Sequence, residues 1–177
     1  MLFRSYKLNS FLPKDIAIHH INKVKKDAHA RFDAVSRTYL YRIRKEKDVF
    51  NFYRAYQIKT ELDINKMNEA SMIMLDYVDF ECFSKSNTDV KTFNCKIIKA
   101  EWVEEGNELH FTIKADRFLR NMVRAIVGTL ISIGSDKLDI QDLHAIIKSK
   151  NRSEAGYSVP AHALYLSKIE YPEHLKL

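Results

Sequence analysis

Residues 109–133, LHFTIKADRFLRNMVRAIVGTLISI, change their hydrophobic period part-way along. Leu109, Phe111 and Ile113 alternate with His110, Thr112 and Lys114, the pattern of a half-buried strand. From Phe118 to Ile133 the apolar positions become Leu119, Met122, Val123, Ile126, Val127 and Leu130, the stripe of a helix buried on one side. A strand that runs into a helix, each with an apolar face, predicts a sheet packed against helices. Lys114, Arg117, Arg120 and Arg124 surround the junction. If the helix starts at Phe118, spacings of three and four residues place Arg117, Arg120 and Arg124 along one of its edges. A solvated face accounts well for Arg117 and Arg120. It accounts less well for Arg124, which sits among Val123, Ile126 and Val127 and calls for a fixed carboxylate partner.

Outward from this block, Cys95–Glu104 reads as a strand carrying Ile97, Ile98, Ala100 and Trp102. Glu105-Gly106-Asn107 joins it to the next strand as a hairpin. Residues 34–44, AVSRTYLYRIR, alternate so that Val35, Arg37, Tyr39, Tyr41 and Ile43 share a side. Tyr offers a stacking face and Arg a phosphate-directed fork, although an edge-strand aromatic pair gives the same pattern. Asp63 is the expected N-cap of a helix reaching Asp76, with Ile64, Met67, Met74 and Leu75 as its stripe. Phe80–Phe83 is a short strand or turn, and 84–92 is a polar loop. A further helix is expected over Asp139–Lys148, capped by Asp139, and a closing strand over Ala163–Tyr171 with Leu164, Leu166 and Ile169 inward. Residues 1–20 look irregular, with a turn at Leu12-Pro13-Lys14-Asp15 and a short strand through Ile16, Ile18 and Ile21. The expected fold class is α+β: an antiparallel or mixed sheet with helices packed on one side, in a single domain spanning 1–177.

The chain of 177 residues carries a net charge of +6, which permits nucleic acid or another anionic partner without proving either. Two cysteines, Cys82 and Cys95, form no disulfide framework or metal-ligand spacing, and His19-His20 are adjacent and cannot easily share a metal on a strand. A reduced, cytoplasmic setting is therefore expected, with no metal site and no membrane association. The apolar run Met122–Ile133 is interrupted by Arg124 and Gly128 and is too short to span a bilayer. No Gly-rich phosphate loop, HExxH or GxSxG occurs. Read from its residues alone, the chain is a basic α+β domain with aromatic and Arg surfaces suited to RNA.

Four segments, in order, resemble landmarks of the TruA-type tRNA pseudouridine synthases. Leu12-Pro13-Lys14-Asp15-Ile16 is similar to the family's LP-x-D-I. His29-Ala30-Arg31-Phe32-Asp33-Ala34 with Arg37-Thr38-Tyr39-Leu40-Tyr41 resembles its HARFSA…R-x-Y-x-Y stretch. Residues 111–128 resemble its A-x-x-F-L-x-x-M-V-R-x-I-V-G block, the most specific of the four. Ala163-Leu164-Tyr165-Leu166 resembles the closing G-L-Y-L, with Ala163 where Gly is usual. The likeness covers nearly the whole chain.

The resemblance implies the C-terminal subdomain of an enzyme that isomerises uridine to pseudouridine in the tRNA anticodon stem-loop, without metal or organic cofactor, as a homodimer. The family's aspartate motif, GRTDAGVHA, does not occur in these 177 residues. Asp27-Ala28-His29-Ala30 is only superficially like it and falls in the HARF stretch, so Asp27 is not expected to be a nucleophile. The resemblance therefore implies a C-terminal half whose catalytic aspartate lies elsewhere, inactive by itself. It makes Tyr39 the residue that stacks on the target base and Arg124 the partner that keeps the aspartate ionised. Phe118, Leu119 and Leu166 become apolar walls, and Arg37, Lys114, Arg117 and Arg120 contacts to the RNA backbone. The competing expectations are a stand-alone RNA-binding or dimerisation module, and a structural domain with a basic face.

Overall fold

The computed structural model describes residues 2–86 and 89–177, so Asn87 and Thr88, within the polar loop expected at 84–92, lie outside the described residues. Residues 35–170 form one compact unit, and residues up to 34 with 171–177 form another.

The larger unit is a five-stranded mixed sheet with helices packed on one side. β1 (Ser36–Arg44) pairs antiparallel along its full length with β4 (Glu108–Ala115), which in turn pairs antiparallel with β3 (Ile97–Glu105). The other edge of β1 is shared. β5 (Leu164–Glu170) runs antiparallel beside residues 36–41, and the short β2 (Tyr56–Gln57) runs parallel beside Ile43 and Arg44. Register places Tyr41 and Ile43 of β1, Leu109, Phe111 and Ile113 of β4, and Ala100 and Trp102 of β3 on one face, and all seven are buried. The Trp102 and Phe111 rings stack at 4.7 Å between centroids. The β3–β4 connection is a two-residue turn in which Gly106 takes φ +60°, as a tight hairpin requires. Ile98 falls at an irregularity in the β3–β4 register and stays 47% exposed, which is why the expected inward run Ile97-Ile98 splits.

The inner face is covered chiefly by α3 (Met122–Gly134), eleven of whose residues are buried. α2 (Ile64–Ile73) begins at Asp63, whose carboxylate accepts the Lys66 amide as the sequence predicts. Three residues of 3₁₀ helix, Met74–Asp76, complete the stretch, and Met67 and Met74 are wholly buried. Phe80–Phe83 ends in a 3₁₀ turn over Glu81–Phe83 rather than a strand.

Several boundaries differ from expectation. α3 starts at Met122, not Phe118, because Asn121 adopts a left-handed conformation (φ +70°) that no α-helix carries through. Residues 116–121 form a loop held by the Asp116 carboxylate, which accepts the amides of Lys96 and Arg117. Arg117 and Arg120 thus lie outside the helix and do not extend one edge of it with Arg124. α4 (Asp142–Ser149) is capped in reverse: Asp142, already in the helix, accepts the Asp139 amide, and Asp139 caps nothing. In β5 an extra residue, Ser167, interrupts the ladder opposite Thr38 and Tyr39. Leu164, Leu166 and Ile169 still pair with Tyr41, Tyr39 and Arg37 on the inner face as expected, although Leu166 and Ile169 are exposed.

In the smaller unit, residues Leu2–Asn9 form a helix, α1, where irregular chain is expected. The expected strand through Ile16, Ile18 and Ile21 is absent. The Asn9 side chain takes both the amide and the carbonyl of Ile18, the groups a neighbouring strand would need. The Pro13 turn forms as read, with the Ile16 amide on the Pro13 carbonyl. His29–Asp33 closes on itself: the His29 ring accepts the amides of Arg31 and Phe32, and Asp33 accepts the amide of His29.

Among the described residues, no helix is long and apolar enough to cross a membrane. No three His, Cys, Asp or Glu side chains among them cluster as a metal site.

Candidate active site

Tyr39 and Arg124 reach the site by different routes. Tyr39 projects from β1 on the inner face, two residues before Tyr41, and Leu166 is its neighbour on β5. Tyr41 and everything after it on that face lies under the helices, whereas Tyr39 stays half-buried. Phe118, from the loop before α3, meets the Tyr39 ring edge-on at 5.1 Å between centroids. This T-shaped pair fixes the Tyr39 ring without covering it. Leu119, the residue after Phe118, is buried, and Leu166, opposite Tyr39 on β5, is 48% exposed. The structure therefore gathers Tyr39, Phe118 and Leu166 at the uncovered end of the inner face.

Arg124 lies in the first turn of α3 and is half-buried. Its Nε donates to the Val159 carbonyl at 2.5 Å, and the Val159 amide donates to the Arg124 carbonyl at 3.2 Å. With Nε engaged, the guanidinium is oriented and the two Nη groups have no partner among the described residues. Its charge reaches Tyr41, whose hydroxyl donates to the Pro160 carbonyl at 2.9 Å. Burial pushes the Tyr41 phenol well above its ordinary range, Tyr56 and Tyr157 add to this, and Arg124 opposes it. Tyr41 is thus a fixed, neutral donor between Arg124 and the segment after Val159.

That segment, residues 155–160, is the part of the site that pattern alone does not reveal. It lies directly on α3. A Cβ at Gly128 would stand 1.8 Å from the Tyr157 carbonyl oxygen, and one at Gly156 would stand 2.6 Å from the Thr129 nitrogen. Two glycines thus permit backbone-to-backbone contact. The Gly156 amide donates to the Thr129 hydroxyl, Arg152 donates to the carbonyls of Ala155 and Gly156 and to the Ser158 hydroxyl, and Asn121 donates to Ser158 at 2.6 Å. Arg152, Ser158 and Asn121 therefore clamp the segment that aims Arg124. The available signal was Gly128 itself, since a glycine inside a strongly apolar helix is costly unless something packs against it.

The remaining cations have protein partners to different degrees. Arg37 donates to the Asp116 carbonyl at 2.7 Å, and Arg117 to the Thr92 carbonyl at 3.2 Å. Lys114 pairs with Glu170, which also accepts from Lys168 and Ser36. These contacts hold the Glu170 carboxyl down at about 2. Arg120 is exposed, and its carbonyl accepts the Lys85 amide.

Comparison with known proteins follows the same lines. The family model for tRNA pseudouridine synthase matches residues 77–172, which hold Arg124, the clamp and β5. The chain is similar to tRNA pseudouridine synthase A of Parabacteroides distasonis, 53% identical over 99% of this chain and 69% of that protein. It is 52% identical to the protein of that name from Bacteroides fragilis over 96% of this chain and 68% of the relative. With that of Bacillus licheniformis it shares 39% over 94% of this chain and 68% of the relative. The chain thus spans about two thirds of the length of these relatives.

Proposed function

Since this chain belongs to the tRNA pseudouridine synthase family, we propose that it supplies the base-holding and charge-pairing side of an active site that isomerises uridine in the tRNA anticodon stem-loop. The reaction detaches the uracil from its ribose at N1 and reattaches it at C5. Three things are needed: a pocket for a base out of its stack, a nucleophile, and a positive group that keeps the nucleophile ionised.

Tyr39 provides a ring face for the extruded base, braced by Phe118 and flanked by Leu119 and Leu166. Arg124 provides the positive group. A guanidinium beside a carboxylate favours its charged form by one to three pKa units, roughly. The observation that carries the reading is the fixed Nε of Arg124 on Val159, which leaves both Nη groups to a carboxylate that none of the described residues supplies. The nucleophilic aspartate is then contributed from outside these residues. Arg37, Lys114, Arg117 and Arg120 provide positive potential for the RNA backbone, Arg120 most directly because it is exposed, and Lys114 from the other face of the sheet, where it stands opposite Thr38. No metal or organic cofactor is required, the working environment is the cytoplasm, and the functional assembly is a homodimer.

The test is activity of the 177-residue chain on unmodified tRNA. It is expected to bind tRNA in a salt-sensitive way and to form no pseudouridine. Pseudouridine formation by this chain alone would show that the nucleophile is within it and overturn the assignment.

A further inference from the structure

The β1–β2 connection exposes aromatic side chains that the active site does not use. Phe50 is 93% exposed, Tyr53 76% and Phe52 62%, with Val49 beside them. The Phe52 and Tyr53 rings meet edge-on at 4.8 Å. An exposed cluster of this kind needs a reason, because water is a poor environment for three adjacent rings.

The loop is anchored as a rigid platform. Arg44, the last residue of β1, is 3% exposed and turns back under the loop. Its Nη groups donate to the carbonyls of Asp48 at 3.2 Å and Asn51 at 2.9 Å, and its charge meets Asp48 and Glu108. Asp48 in turn accepts the amides of Phe50 and Asn51 and the Asn51 side chain. On the far side, Tyr165 donates to the Arg54 carbonyl at 2.8 Å, and His162 contacts the Ala55 carbonyl. The Arg44 Nη groups and the Asp48 carboxylate hold the backbone, while the rings of Phe50, Phe52 and Tyr53 stay exposed.

Cations flank the rings, Lys47 ahead of Phe50 and Arg54 after Tyr53. Lys47 and Arg54 lie within the loop and Lys59 just after it, and no carboxylate pairs with any of them among the described residues. Protein-protein interface cores favour aromatics but are depleted of Lys, whereas a binder of unpaired RNA combines exposed rings with positive charge. The loop begins where β1 ends, about 17 Å along that strand from Tyr39, or about five stacked base steps.

We propose that residues Val49–Arg54 form a stacking platform for unpaired bases of the same RNA whose target uridine occupies the Tyr39 pocket, with Phe50 as its principal ring. This rests on the tRNA reading above and adds a second contact point to it. Preorganisation by Arg44 and Asp48 removes most of the ordering cost of binding.

The experiment measures tRNA binding to the purified protein and to two variants. Phe50→Ala is expected to weaken binding about 5- to 150-fold, the range for loss of one stacked base. Phe50→Trp keeps a stacking ring and is expected to bind within about threefold of wild type, with its emission quenched by tRNA. The signal is clean because the single native tryptophan, Trp102, is buried. Affinity of Phe50→Ala within twofold of wild type, or unquenched Phe50→Trp emission in the complex, overturns the platform. So does a change in oligomeric state of Phe50→Ala with tRNA affinity intact, which would make the patch a contact between copies. These results leave the Tyr39 and Arg124 assignments standing, whereas failure of the wild-type protein to bind tRNA overturns both.

Discussion

Arg124 and Val159 hold each other twice: the guanidinium Nε donates to the Val159 carbonyl, and the Val159 amide donates to the Arg124 carbonyl. One arm fixes the side chain and the other fixes the backbone beneath it. The direction in which the Nη groups face is thus set by the protein before any ligand arrives, as electrostatic catalysis requires.

Arg124→Ala in the complete enzyme should lower turnover roughly 10²- to 10³-fold, the usual cost of removing one preorganised charge contact, while tRNA affinity changes little. Tritium release from C5-labelled uridine in tRNA measures the first and filter binding the second. Arg124→Lys keeps the charge but not the planar fork, and should recover only part of the loss.

Tyr39 should behave as a ring rather than as a hydroxyl, since its role rests on the face that Phe118 braces. Tyr39→Phe should retain most turnover and Tyr39→Leu little. Phe118→Ala, which leaves Tyr39 in place but unbraced, should forfeit about 0.5–1.5 kcal/mol of ring-ring interaction. It should appear in KM before kcat.

Gly128→Ala separates local propensity from packing. In an exposed helix the change stabilises by about 1 kcal/mol. Here the added methyl meets the Tyr157 carbonyl at 1.8 Å, so the backbone of residues 155–160 must move. A net destabilisation of about 1–3 kcal/mol is expected from overpacking. Urea denaturation checks it, and unchanged or higher stability would mean that the segment does not press on α3.

Glu170 carries an acid-side prediction. Lys114, Lys168 and Ser36 lower its folded-state carboxyl from 4.5 to about 2. A lowered folded pKa means that the unfolded chain takes up the proton first. The stabilisation is therefore present above the unfolded value and lost as pH falls from there toward about 2. Glu170→Gln should flatten the fall of the urea midpoint across that window and leave its slope near neutrality unchanged.

Cys82 and Cys95 are buried, and burial pushes their thiols up to about 12 and about 11. Neither should react with a thiol reagent at neutral pH in the native state. Labelling should track unfolding, with a rate that rises in parallel with urea.

Much of this arrangement is legible in the sequence because two periods meet at residues 114–122. Alternation in β4 and the apolar stripe of α3 need only local side-chain order, and Asp63 announces α2 by residue type alone. The start of α3 is not legible in this way: nothing in Phe118-Leu119-Arg120 opposes helix, and only the left-handed Asn121 and the carboxylate of Asp116 settle it. The bulge in β5 is not legible for a similar reason, since the extra Ser167 is set by pairing with β1 and leaves no mark in the strand's own pattern. The clamp on Arg124 was hidden because it joins residues distant in sequence through carbonyls, and carbonyls are the same in every residue. The Arg44 anchor was hidden too, since a charged residue at a strand end reads as solvated.

The segment that clamps Arg124 is also made late. On a ribosome, α3 emerges with Arg124 in place, but Val159, Tyr157 and Gly156 follow only after α4 and the loop beyond it. Until then the guanidinium lacks the Val159 carbonyl, and Gly128 lacks the Tyr157 backbone that packs on it. A nascent chain can thus finish β1, β3, β4 and α3 while its key cation is still unaimed. Completion of the pocket waits for residues 155–170, when β5 slots in beside Tyr39.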